Sequence, residues 1–255
     1  MRSIVAAFIL IALLPVASLA ETEKKSEVSA IFYSEFGGMV NSSLDMELER
    51  KEQGSEPVLT IRSRMGDSTK TRRFKVSDED MEVLVRMIEA YDPENWENLP
   101  ESELIALDAP ISQVELVYAD GRRTEVSDSK EISGALFYRT EQFLKSYDAK
   151  KAKTAELTFD SFEGGPWYRA VLSDPAMVRV ESSRKYNRPA FLRGKGEKFQ
   201  EQLVFIGRIP GKTELVIDVE EGMKQHEGIR TPVLFEVEVD SGYNVTLTEK
   251  DPGKE

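Results

Sequence analysis

Between positions 155 and 248 the chain breaks into seven short strand-like runs punctuated by turn residues. Gly, Pro, Asn and acidic residues separate them, and no run continues at helical spacing. Such runs read as strands, and no convincing helix interrupts them. The runs fall at 155–162, 167–172, 177–181, 199–206, 213–219, 233–239 and 243–248, with Pro210-Gly211 and Ser241-Gly242 marking tight connections. Short strands at this spacing predict an all-β sandwich over 154–249.

The preceding stretch mixes two periods. Strands are expected at 28–36, 44–50, 58–65 and 73–76. Leu44, Met46 and Leu48 alternate with Asp45, Glu47 and Glu49, the signature of a sheet wet on one face. Ser77 followed three residues later by Asp80 reads as a helix start. Met81, Leu84, Val85, Ile88 and Tyr91 then recur at helical spacing until Pro93. Strands at 111–118 and 122–126 flank Ala119-Asp120-Gly121, whose Asp-Gly step favours a hairpin. Leu136, Thr140, Phe143, Leu144 and Tyr147 mark a second amphipathic helix. The expected fold class is therefore an α+β N-terminal domain, an antiparallel sheet with two helices over 27–148, followed by an all-β sandwich. The basic stretch at 149–153 reads as the linker, and Lys70-Thr71-Arg72-Arg73 as a solvated hairpin edge.

Arg2, the apolar run of eleven residues from Ile4 to Leu14, Pro15 and Ser18-Leu19-Ala20 together form the pattern of a secretory signal peptide over 1–20. The run is about half the ~20 apolar residues that span a bilayer core. Residues 21–26 read as a charged leader and 250–255 as a tail. The expectation is an exported protein, periplasmic, cell-surface or extracellular, without a stable membrane anchor.

Composition narrows the chemistry. Lys and Arg number 34 against 46 Asp and Glu, and a formal charge of −12 disfavours nucleic acid as a partner. There is no cysteine, so disulfides, thiolate metal sites and a cysteine nucleophile are excluded. The single histidine, His226, lies in a polar stretch between two strand runs, with no partner motif that would make it a general base. No G-x-S-x-G occurs, and abundant acids alone do not define a glycosidase pair. Neither Asp45/Glu47/Glu49 nor Asp78/Glu79/Asp80 has the spacing of a calcium loop. Gly164-Gly165 and Gly194-Lys195-Gly196 lack a following helix to bind phosphate. The expectation is a non-catalytic protein with no metal and no cofactor.

Loop composition points instead to recognition. The segment 162–168 places two glycines, Pro166, Trp167 and Tyr168 in one turn, and aromatic residues in loops give large contact area at low entropy cost. Because strand sides alternate, Trp167 and Tyr168 must face opposite ways. Residues from about 153 to 249 resemble the chagasin-like cysteine-protease inhibitors. The resemblance runs through Gly164-Gly165-Pro166-Trp167-Tyr168, the Asp-Pro strand start at 173–178 and the glycine-rich Gly194-Lys195-Gly196 with its following strand. It continues through the Pro-Gly turn at 209–215 and Arg230-Thr231-Pro232. It implies an immunoglobulin-like sandwich with three loops clustered at one end. It also implies partner-binding residues Gly164, Gly165, Pro166, Trp167, Tyr168, Gly194, Gly196, Arg230 and Pro232, and a papain-like cysteine protease as partner. The N-terminal domain resembles exported bacterial domains that carry no assigned activity. The reading is an exported protein-binding module; the alternative is a structural or cell-envelope-associated protein without inhibitory activity.

Overall fold

Alternation of buried and exposed residues builds most of the structure, a computed structural model. It describes residues 27–37, 42–52, 54–102, 110–149, 151–163, 165–190, 196–220 and 232–250. The expected signal peptide, leader and end of the tail, together with His226, lie outside the described residues.

Strands β1 (Val28–Gly37), β2 (Ser42–Glu49), β3 (Val58–Met65), β4 (Ser68–Lys75), β5 (Pro110–Tyr118) and β6 (Arg123–Ser127) form one antiparallel sheet, ordered β4-β3-β2-β1-β5-β6. Register places Leu59, Leu48, Ile31 and Leu116 in one row and Ile61, Met46, Tyr33 and Val114 in another, all buried on the same face. Helices α1 (Asp78–Glu89) and α2 (Ala135–Lys145) contribute Met81, Leu84, Ile88, Leu136, Phe143 and Leu144 to the same core. The opposite face is polar, with Glu47 paired to Arg62 at 3.0 Å and Glu115 to Arg123 at 2.9 Å. Ser77 caps α1 through its hydroxyl, which accepts from Asp80 N–H at 3.1 Å.

Two local expectations need adjustment. Strand β4 begins at Ser68, five residues before position 73, because an edge strand exposed on both sides shows no alternation. Helix α1 stops at Glu89, ahead of Pro93. Pro93 instead opens a 3-10 turn, Pro93–Asn98, that buries Trp96 with its indole N–H donating to Tyr91 O at 2.9 Å.

The last seven strands form two further antiparallel sheets. One is ordered β7 (Ala155–Phe162), β10 (Lys198–Gly207), β9 (Val178–Tyr186). The other is ordered β13 (Val245–Glu249), β12 (Val233–Val239), β11 (Gly211–Glu220), β8 (Trp167–Leu172). Their inner faces meet where Phe159 stacks on Tyr168, with ring centres 4.2 Å apart. The chain is thus mainly antiparallel β with two short helices.

One end of these sheets rests on the helices. Asp80 of α1 is buried and accepts from Arg208 at 2.7 Å, from Arg179 at 3.1 Å and from the Tyr147 hydroxyl. Arg208 also donates to Ser146 Oγ at 3.2 Å and lies over the Tyr147 ring at 4.2 Å. Arg139 of α2 pairs with Asp174 at 2.8 Å, and Tyr243 donates to Gln142 at 2.8 Å.

Candidate protein-binding rim

The other end of the two sheets is set by their pairing. Strand β10 runs antiparallel to both β7 and β9, with Lys198 paired to Phe162 and the adjacent Phe199 to Tyr186, so the ends of β7 and β9 lie together. In the second sheet Glu220 pairs with Trp167 at the start of β8. The β7–β8 turn joins those levels, so the connections after β7, β9 and β11 all leave from one end. The first two touch: Glu163 N–H donates to Glu197 O at 2.9 Å. Strand β10 is ten residues long, so this end stands roughly 30 Å from the helices.

The turn between β7 and β8 is held from within. Buried Ser161 donates through its hydroxyl to Pro166 O, and Gly165 N–H donates to Phe162 O at 3.1 Å. Gly165 has φ +103°, a conformation that costs glycine little and strains a residue carrying Cβ. Along β8, Trp167, Arg169 and Val171 face outward while Tyr168, Ala170 and Leu172 are half-buried. Trp167 is 36% exposed and Phe162 is 39% exposed, so two large aromatics flank the turn in water.

The sequence candidates divide accordingly. Gly165, Pro166, Trp167 and Gly196 share the rim, with Gly165 buried, Pro166 half-buried and Gly196 exposed. Tyr168 turns away from the rim surface: strand alternation points its ring between the sheets onto Phe159. Pro232 is exposed and precedes β12, whose first residue pairs with Ile217, three residues short of the level of Glu220. Gly164, Gly194 and Arg230 lie outside the described residues.

Two features escaped the sequence reading. Phe162 ends β7 on its solvent side, which counting alternation from Leu157 and Phe159 would have revealed. Glu201 lies buried beneath the turn, accepting from Tyr168 N–H at 3.3 Å and facing Arg184 at 3.6 Å. Its signal was a carboxylate on the inward period of Phe199, Leu203 and Phe205. A buried acid bonded to the backbone of β8 fixes where Trp167 emerges, because an unsatisfied carboxylate in that position would be costly. No protein-family model matches the chain, and no curated protein matches it.

Proposed function

We propose that the chain is an exported, non-catalytic binding module that presents the loop end of its last seven strands to another protein. Its sharpest form is an inhibitor resembling the chagasin-like family, directed at a papain-like cysteine protease. On this reading 27–148 and 154–249 are two domains, and the second is an immunoglobulin-like sandwich. The single observation that carries the proposal is the pair Phe162 and Trp167, both exposed on either side of one internally braced turn. Aromatic anchors held on a rigid support favour binding because little conformational freedom is lost on association.

The division of seven strands into three and four supports a sandwich. The likeness to the immunoglobulin fold is one of architecture, since β9 pairs with β10 here and the corresponding third strand of that fold pairs with the sixth. Contacts at the far end, through Asp174, Arg208 and Tyr243, occupy the tight turns and leave the loops as the available surface. The alternative is an envelope-associated structural protein. It is favoured by the absence of Asn-Pro-Thr-Thr from the first loop and of tryptophan after Pro232, residues that the inhibitor family uses.

Titrating papain with the chain from Glu21 separates these readings. Stoichiometric loss of peptidase activity, weakened in Trp167→Ala, is the expected result for the inhibitor form. Full papain activity at micromolar protein removes that form and leaves a binding module for a different partner or the structural alternative.

A further inference from the structure

A cleft of about 290 Å³ opens where α1, α2 and the turn after β8 meet. Its walls are mostly apolar, with Val83, Met87 and Ala90 on α1 and Pro175 and Ala176 on the turn. Tyr91 adds a half-buried ring. The turn is braced from both sides. Asp174 N–H donates to Thr213 Oγ1 at 3.0 Å, and Asp174 Oδ1 accepts from Ala176 N–H at 3.1 Å. Met87 and Ala176 are buried, so the cleft is set between packed elements.

Two cations line the cleft, Arg86 and Arg139, against one acid, Asp174. Arg139 engages Asp174 through Nη2, at 2.8 and 3.0 Å, and keeps its other N–H groups. Arg86 is exposed, and its side chain makes no hydrogen bond or ion pair with any described residue. The balance is one positive charge beside apolar walls, in a chain whose formal charge is −12. On its other side Arg86 borders a hollow lined by Glu27, Glu82 and Glu89 together with Arg50. Three acids there repel an anion, which leaves the Arg139 side as its approach.

We propose that this cleft binds a small monocarboxylic acid with a compact apolar body. The carboxylate meets the Arg86 guanidinium, and the body lies against Met87, Ala90 and Pro175. A planar guanidinium matches a carboxylate in geometry as well as in charge. One net positive charge suits a monoanion better than a phosphate dianion. The volume falls at the small end of ligand cavities, enough for one ring and a short chain and too little for a long acyl chain. Asp174 and Arg139 stand at the opposite end of the strands from the rim, so this site is independent of the protein-binding reading.

The test is calorimetric titration of the chain from Glu21 to Glu255, which keeps every described residue, with 3-phenylpropionate and with its neutral amide, 3-phenylpropionamide. The acid is expected to bind saturably, one per chain, with the amide weaker by about tenfold or more, the size of a lost hydrogen bond to a charged group. Arg86→Gln should weaken the acid by about tenfold for the same reason. Ala90→Trp, at an exposed position on the cleft wall, should abolish binding by filling the space. Both variants should keep the parent dichroism. Backbone amide shifts that move with the acid should cluster at 83–91, 139 and 174–176. No saturable binding of millimolar acid, equal affinity for acid and amide, parent affinity in the folded Arg86→Gln, or shifts confined to other residues overturns the proposal. If Arg86→Gln does not fold, Ala90→Trp and the acid–amide comparison decide.

Discussion

Replacing Asp80 by alanine removes the one carboxylate that Arg208, Arg179 and the Tyr147 hydroxyl share. Asp80 and Arg208 are both buried, and Arg208 Nε has no partner among the described residues. Deleting one member of a buried ion pair strands the other charge and costs about 3–5 kcal/mol. Arg208 keeps Ser146 Oγ and the Tyr147 ring, and Arg179 is one-third exposed and can turn to Glu181 at 2.7 Å. The low end of the range follows, about 3 kcal/mol. In thermal unfolding this is a fall in Tm of roughly 6–12 °C for a chain of this size. The assay is urea unfolding of the chain from Glu21, read by far-UV dichroism and by the fluorescence of Trp96 and Trp167 together. Asp80→Leu combined with Arg208→Met should recover most of the loss, because apolar replacement of a buried pair is often neutral. A change within about 0.5 kcal/mol for Asp80→Ala would refute the argument, since that is the size of an ordinary surface substitution.

Three further outcomes are expected. Burial raises the pKa of the Tyr243 hydroxyl to about 12, with Glu141 adding to the effect, and burial pushes Tyr33 and Tyr147 up as well. The unfolded chain ionises its tyrosines near pH 10, so stability should hold below that pH and fall as pH rises toward 12; phenolate absorbance that titrates in a single step near 10 would contradict this. Gly207→Ala should cost about 1–3 kcal/mol in urea unfolding, since its Cβ would meet Tyr243 O at 2.5 Å and Val239 Cγ1 at 2.7 Å. Trp167→Ala should leave stability within about 0.5–1 kcal/mol, because the ring is not enclosed by the core; a larger loss means that Trp167 is a packing residue.

Alternation made the strands legible because each face of a sheet repeats every second residue. Ala155–Phe162, Trp167–Leu172 and Val233–Val239 span the positions that the pattern indicates. Strand β9 runs on to Tyr186, beyond position 181, since Glu181 to Lys185 are exposed on an edge and carry no apolar period. Sheet membership was not legible, because identical alternation in β9 and β11 does not say which neighbour each strand chooses. The opposite orientations of Trp167 and Tyr168 follow from strand geometry alone. The role of Asp80 does not: an acid in the first turn of a helix is a normal electrostatic preference. Only the fold brings Arg208, 128 positions away in sequence, against it.

The most direct test of the recognition rim compares three immobilised proteins exposed to the same envelope and extracellular fraction: the parent chain, Trp167→Ala with Phe162→Ala, and Glu236→Lys on the outer sheet face. The account predicts a protein captured by the parent and by Glu236→Lys. It should be weakened by about 2 kcal/mol or more, roughly 30-fold in affinity, in the aromatic double variant with unchanged dichroism. Capture at equal affinity by the folded double variant would contradict the claim that the loop end is where this protein meets its partner.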